Sequence, residues 1–80
     1  MKLIINSPIS RKEFKINWLE VETLNGSMVI QPGHKWSYIV IKPESEIQWE
    51  GIDGVVQKIS VNNAFLEVER DKAIVILDRE

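Results

Sequence analysis

Apolar residues recur along this chain at every second position or in short runs, and turn residues interrupt them at intervals of about ten positions. This pattern is typical of an all-β protein, because successive side chains of a strand point to opposite faces. No segment shows the helical period of an amphipathic helix. We therefore expect one domain over residues 1–80, folded as a small antiparallel β-sandwich or flattened barrel of about eight to ten short strands.

The first half of the chain contains four predicted strands. They cover residues 2–5, 13–16, 18–24 and 28–30. In the third strand Leu19 and Val21 alternate with charged residues, so we expect both side chains to face the core. Asn25 and Gly26 tolerate positive φ angles, and they predict a hairpin with a type I′ turn between the last two strands.

The second half opens on Pro32 and Gly33, which predict a type II turn because proline fixes φ and glycine accepts a positive φ. Extended structure is predicted for residues 36–42, and residues 44–49 are predicted to form an edge strand whose charges discourage sheet-to-sheet association. A loop at residues 51–54 precedes the last three strands. They cover residues 55–61, 64–69 and 73–77, with a left-handed turn at Asn62-Asn63 between the first two.

Composition excludes several functions. The chain has no cysteine, which rules out a disulfide framework and is compatible with a reducing, cytoplasmic setting. Ten Lys and Arg residues stand against twelve Asp and Glu residues, so the chain lacks the basic field that nucleic-acid binding requires. No apolar stretch approaches the roughly 20 residues that cross a bilayer, and residues 1–5 are too short for a signal-peptide core.

Two groups of residues suggest chemistry, and each has a simpler explanation. His34, the only histidine, is a possible general base or metal ligand. Catalysis would need a partner that orients the ring, and metal binding would need two or three further ligands, so a surface or interface histidine is the simpler explanation. Glu44, Glu46, Glu50 and Asp53 suggest a paired-carboxylate site or a calcium loop. Their spacing does not fit a calcium loop, and a solvated edge explains them better. We therefore predict no metal site and no cofactor.

The aromatic residues leave two interpretations open. Trp36 and Tyr38 share a strand face beside the proline turn, which is typical of a docking surface, and core packing explains them equally well. A sugar-binding platform would also need Trp18 or Trp49, which lie on other predicted segments. Because no catalytic triad, phosphate-binding glycine loop or HExxH motif is present, the sequence gives no positive case for an enzyme.

A succession of short motifs then points to a family. The motifs are Gly26, Pro32-Gly33-His34, Lys42-Pro43, Asn62-Asn63-Ala64-Phe65-Leu66-Glu67-Val68 and Ile74-Val75-Ile76-Leu77-Asp78. In this order they resemble the β-sandwich domain of the ε subunit of rotary F-type ATP synthases. The resemblance implies a noncatalytic rotor subunit of the central stalk that couples the γ subunit to the membrane c-ring.

The resemblance also implies which residues make the contacts. The c-ring-facing loop would comprise Gly26, Met28, Ile30, Pro32, Gly33 and His34, and Lys35, Trp36 and Tyr38 form a possible interface beside it. The chain departs from the family in this region. Ser27 stands where members usually have a glutamate, and Lys35-Trp36 follows His34 in place of the usual Ala-Pro.

The expected partners are therefore γ and the c-ring loops, with no nucleic acid, no membrane insertion and no ATP site. We expect a peripheral subunit on the cytoplasmic side of a proton- or sodium-coupled enzyme, soluble when isolated. The chain stops at Glu80, before the inhibitory helical hairpin common in the family, and a piece of a longer protein would look the same. The alternative is a divergent ε-like sandwich reused as a protein- or ligand-binding module outside the motor, and a carbohydrate-binding domain is a third interpretation.

Overall fold

Eight β-strands form in the computed structural model, which describes residues 1–78. They are β1 (Lys2–Asn6), β2 (Arg11–Thr23), β3 (Gly26–Ile30), β4 (Ser37–Ile41), β5 (Ser45–Gly51), β6 (Val56–Val61), β7 (Ala64–Glu69) and β8 (Lys72–Leu77). Within this range no helix is long and apolar enough to cross a membrane. Arg79 and Glu80 lie outside the described residues, and so does the expectation that the chain stops before a helical hairpin. The prediction of an all-β fold is confirmed.

The strands pair in the order β4-β7-β8-β1-β2-β5-β6, with β3 paired to β2 beside this path. The first sheet contains β4, β7, β8, β1 and the first part of β2, and the second sheet contains the rest of β2 with β3, β5 and β6. Neighbouring strands are antiparallel except β1 and β8, which run parallel from Lys2 beside Lys72 to Asn6 beside Ile76. The sequence did not indicate this parallel pair.

Strand β2 belongs to both sheets and replaces two predicted strands. Its first part pairs with β1, its second part pairs with β5 and β3, and the register with β5 shifts between Ile16 and Trp18. The shift is a β-bulge at Asn17, and an extra residue reverses which positions face the core. Ile16 therefore faces the core before the bulge, and Leu19 and Val21 face it afterwards.

One hydrophobic core lies between the sheets. Its buried members are Leu3, Ile5, Ile16, Leu19, Val21, Ile30, Ile41, Ile47, Trp49, Val61, Ala64, Leu66, Val68, Ala73 and Val75. Every strand contributes at least one of them, since each strand alternates between core-facing and solvent-facing positions. The predicted core positions Leu19 and Val21 are fully buried, so this part of the prediction is confirmed, and Leu66 is fully buried as well.

Residues 44–49 were predicted as an edge strand, and this prediction is wrong. Strand β5 lies between β2 and β6, with Ile47 and Trp49 buried against the core. The charges that suggested an edge belong instead to its solvent-facing side, where Glu46 and Glu50 alternate with the buried residues. A strand covered on one face shows the same alternation whether it is central or at an edge.

Two predicted turns form with different geometry. The hairpin joining β2 and β3 is confirmed, with Thr23 beside Gly26, but Gly26 alone has a positive φ there (116°), so the turn is not type I′. The Thr23 hydroxyl instead donates to the Gly26 carbonyl at 2.8 Å. The left-handed turn at Asn62-Asn63 is also wrong. Within residues 1–78 the one non-glycine residue with positive φ is Glu44.

The turns gather at two opposite ends of the sandwich. At one end, called the Gly33 end, the Gly33 amide donates to the Arg70 carbonyl at 3.1 Å and the Lys2 amide donates to the Asp71 carbonyl at 2.9 Å. At the opposite end the Glu44 amide donates to the Asn62 carbonyl at 2.9 Å. The chain therefore presents separate sets of loops to its two ends.

We expect Leu66→Ala to lower the free energy of unfolding by roughly 2–5 kcal/mol, because it removes a fully buried side chain and leaves a cavity. Leu24→Ala is the matched control, since Leu24 is largely exposed at a hairpin tip and its truncation should cost about 0.5 kcal/mol or less. Urea denaturation followed by tryptophan fluorescence measures both. Equal losses in the two variants would contradict the core assignment.

Candidate functional site

The turn before β4 has the geometry that its proline and glycine predict. Gly33 has a φ of 85°, and the His34 amide donates to the Gln31 carbonyl at 3.2 Å, as in a type II turn. A second bond, from the Gly33 amide to the Arg70 carbonyl, ties the turn to the β7–β8 hairpin. Both bonds join backbone atoms, so the exposed side chains of the turn do not take part in fixing its backbone.

His34 and Lys35 are the ionisable side chains of this turn. The Nδ1 atom of His34 lies 2.8 Å from the Lys35 carbonyl oxygen, and the Lys35 side chain is exposed. Among residues 1–78 neither side chain forms a salt bridge, and no group of three or more His, Cys, Asp or Glu residues converges on a metal position. The arrangement presents polar groups to an outside partner and does not orient the imidazole against a carboxylate.

The predicted c-ring-facing loop is only partly a single site. Pro32, Gly33 and His34 lie together at the Gly33 end. Gly26 begins β3 and lies about 13 Å from Ile30, given the rise of an extended strand. Ile30 is fully buried, and Met28 lies between them with about a third of its surface exposed. Ile30 therefore leads from the core into the turn, Met28 lies in the groove beside β4, and Gly26 belongs to the opposite end.

A second surface is the outer face of the first sheet, which carries a row of apolar side chains and, next to that row, Glu67 opposite Tyr38. Val40 of β4 stands beside Phe65 of β7, and Phe65 stands beside Ile76 of β8, so the three side chains form one row. Tyr38 lies on the same face of β4. About half of each aliphatic or phenyl side chain in this row is exposed. We call Tyr38, Val40, Phe65 and Ile76 the apolar face.

Trp36 extends the apolar face toward the Gly33 end. Its ring meets the Tyr38 ring edge to face, with centroids 6.3 Å apart, and the two residues are 68% and 70% exposed. Both therefore lie on the surface, which favours the docking interpretation over core packing. Trp49 packs in the core, with its ring centroid 5.1 Å from that of Phe14. It is therefore not available to a sugar-binding platform with Trp36 and Tyr38.

Sequence reasoning found Trp36 and Tyr38 but missed Val40, Phe65 and Ile76. The signal was present in the strands themselves. Segments 38–41 and 73–77 are apolar at every position, which is more than a strand with one covered face needs. An antiparallel sheet with water on one side normally carries polar residues there, so the excess apolar positions mark a surface that a partner can cover.

The outer face of the second sheet is different, because carboxylates line it. An open groove of about 350 Å³ is bordered by Glu20, Glu22, Lys42, Glu44, Ser45, Glu46, Gln48 and Lys58. Lys58 lies 4.0 Å from Glu46, and the Ser45 hydroxyl donates to the Lys42 carbonyl at 2.6 Å. Glu20 accepts a hydrogen bond from Gln48. These partners leave a polar face in the interior of the second sheet, where the sequence predicted a solvated edge.

Fold and surfaces together define an all-β sandwich that offers one polar turn and one apolar sheet face. The sequence matches the family described as ATP synthase, Delta/Epsilon chain, beta-sandwich domain over residues 4–79. The chain belongs to this family, and the resemblance drawn from its motifs is confirmed. Comparison with curated protein sequences found no match.

Solved structures share the fold at low sequence identity. A chain of the Euglena gracilis mitochondrial ATP synthase OSCP/F1/c-ring structure aligns with 94% of this chain, with a TM-score of 0.85 and 15% identity. A chain of the Tetrahymena thermophila mitochondrial ATP synthase central stalk/c-ring structure aligns with 98%, with a TM-score of 0.81 and 16% identity. The chain spans 48% of the first relative and 63% of the second.

Gly33→Ala should lower the free energy of unfolding by about 1–2 kcal/mol, because an alanine resists the left-handed backbone that Gly33 adopts. A Cβ at this position would meet no atom within 4 Å, so conformation is the whole cost. Gly33→Asn should cost less, since asparagine accepts this region more readily. Urea denaturation compares the variants, and equal losses would show that the left-handed backbone is not the cause.

Proposed function

We propose that this chain is the β-sandwich of an ε-type subunit in the central stalk of an F-type ATP synthase. Its role there is noncatalytic, and it couples the γ subunit to the c-ring as a peripheral part of the membrane complex. Family membership over residues 4–79 supports the proposal, as does the shared fold with chains of two mitochondrial ATP synthase structures. The observation that carries it is the pairing of an apolar face with a polar turn on one rigid sandwich.

The apolar face is the proposed contact with γ. A rotor part must not slip against its shaft, and apolar burial supplies adhesion that does not depend on salt. Tyr38 and Phe65 supply large areas, and aromatic residues dominate the energetics of many protein interfaces. The face is carried by strands β4, β7 and β8 of one sheet, so the contact residues are held by backbone pairing.

The Gly33 end is the proposed contact with the c-ring loops. His34 and Lys35 offer hydrogen-bond donors and positive charge at an exposed turn, which suits polar loops at a membrane surface. The turn adjoins the apolar face through Trp36, so both contacts lie on neighbouring surfaces. One body therefore meets the shaft and the ring at the same time, as coupling requires.

A second candidate is an ε-like sandwich reused as a binding module outside the motor. The observation in its favour is the composition of the turn, where Lys35 and the largely exposed Trp36 follow His34 and Ser27 occupies the position of the usual glutamate. An exposed tryptophan beside a cation is an unusual feature for a contact with polar loops. Such a module would keep the fold and bind a different partner.

Affinity purification of the tagged 80-residue chain from its host, followed by mass spectrometry, separates the two candidates. Recovery of γ with the α, β and c subunits would support the rotor subunit. The control is a tag alone in the same lysate. If the preparation contains intact ATP synthase and none of its subunits is retained, the motor proposal is wrong and the retained proteins define the module.

Phe65→Glu should reduce the recovery of γ roughly tenfold or more, because it places an unpaired carboxylate in an apolar interface. The catalytic subunits should fall in parallel, since they are held through γ, whereas the c subunit should fall less, since the Gly33 end is proposed to contact the ring directly. Lys58→Glu is the control, because Lys58 is exposed on the opposite, polar face. Full recovery with Phe65→Glu would exclude the apolar face as the γ contact.

The double substitution His34→Ala with Lys35→Glu tests the second contact. We expect the ratio of c subunit to γ to fall several-fold while γ itself is retained, because only the polar contact is altered. The thermal melting temperature should stay unchanged, since the turn backbone is fixed through Gly33 and Arg70. A fall in melting temperature with an unchanged ratio would make these side chains structural.

A further inference from the structure

We propose that the isolated chain forms a symmetric dimer in which the β4 strands of two copies pair antiparallel. This inference concerns the chain without its partners and does not rest on the proposed function. Strand β4 ends the order of paired strands, and within residues 1–78 it pairs with β7 alone. Its other side therefore carries backbone amides and carbonyls that no neighbouring strand uses.

The first argument is that β4 lacks the features that protect edge strands. Residues 36–41 contain no charge, no proline and no glycine, and they are rich in aromatic and β-branched residues. Natural edge strands usually carry a lysine, a proline or a bulge that prevents pairing with another chain. Here Lys35 precedes the segment and Lys42-Pro43 follows it, so the protecting residues flank the edge and leave its middle open.

The second argument comes from the free edges at β6 and β3, which are protected. Strand β6 pairs with β5 in the described chain and has Lys58 at its centre. Strand β3 pairs with β2 and begins at Gly26, whose φ of 116° departs from that of a regular strand. On the solvent face of the sheet, Glu20 and Glu22 of β2 stand beside Val29 and Ser27 of β3. A pairing through β3 would bring the acidic residues of two copies toward each other.

The third argument is accessibility. The space beside β4 is an open groove of about 300 Å³, lined by Thr23, Leu24, Asn25, Met28, Tyr38, Ile39 and Val40. Only the end of this side is used, because the Lys42 amide donates to the Glu22 carbonyl at 2.7 Å. The free edge therefore ends before Lys42 and covers the uncharged segment.

These limits select one register for a second copy. A two-fold axis at Tyr38 keeps both strands clear of Lys42, and it places Tyr38 opposite Tyr38 of the second copy. It also places Trp36 opposite Val40 of the second copy, twice. Aromatic and β-branched pairs are favourable across antiparallel strands, and no like charges oppose each other within this span.

The pairing also joins the apolar faces of the two copies. Opposed residues lie on the same face of a sheet, so Trp36, Tyr38 and Val40 of each copy would meet across the axis, and Phe65 would lie one strand behind them. Contiguous exposed apolar side chains often mark an interaction surface. A continuous sheet through two copies of β4 would bury the sides of Trp36, Tyr38 and Val40 against one another.

Analytical ultracentrifugation of the purified 80-residue chain, from low micromolar to near-millimolar concentration, tests the dimer. Three exposed valines, Val40 on β4, Val56 on β6 and Val29 on β3, provide a matched set with about half of each surface exposed. We expect a concentration-dependent dimer that Val40→Lys weakens by at least ~10-fold, whereas Val56→Lys and Val29→Lys leave it unchanged. A monomer at every concentration, or an equal effect of either control, would overturn the proposal.

A cross-linking experiment tests the register independently of Val40. The chain has no cysteine, so Tyr38→Cys introduces a single thiol on the proposed axis. Directly opposed residues of antiparallel strands have Cα atoms about 4.5–5.5 Å apart, which lies within the disulfide range. Mild oxidation should give a disulfide-linked dimer with Tyr38→Cys and much less with Lys58→Cys. Equal cross-linking of the two variants would show that β4 does not pair with itself.

Discussion

The bulge at Asn17 is the constraint on which the rest of the structure depends. A single strand, β2, serves both sheets, and a strand without a bulge could present its apolar residues to only one face. The Asn17 side chain holds the bulge, because its amide donates to the Glu50 carboxylate at 2.8 Å and to the Gly51 carbonyl at 3.2 Å. These bonds join the bulge to the last two residues of β5, where the antiparallel pairing of β2 with β5 begins along β2. They therefore help to set the register between these two strands.

Once β2 has crossed between the sheets, one core suffices for the chain, and the two outer faces become different surfaces. In the second sheet most outer positions are polar, with Glu20 and Glu46 among them, and Val29 and Val56 are apolar exceptions. In the first sheet Phe65 and Ile76 stand at outer positions, although the core gains nothing from them. The core accounts for the inner residues of both sheets alike. The apolar outer face of the first sheet needs another explanation, and a covering partner is the physical one.

Alternation made most of the fold predictable, and its failures have a common cause. Strand positions and the burial of Leu19 and Leu66 follow from local pattern, because each depends on residues close in sequence. The joining of residues 11–23 into one strand, the interior position of β5 and the parallel β1–β8 pair depend on contacts between distant segments. The turn type at Asn25 failed for a different, local reason. Side-chain bonds from Thr23 replaced the backbone geometry that the Asn-Gly pair favours.

The candidate site was predictable in its turn and not in its sheet face. The shape of the turn depends on Pro32, Gly33 and a backbone carbonyl of Arg70. No side chain at positions 34–36 takes part in the two bonds that fix it. Recognition at this end can therefore change without cost to the fold, whereas a change at Gly33 alters the backbone itself. The side chains of Lys35 and Trp36 are therefore free to vary without a change in the two backbone bonds that shape the turn.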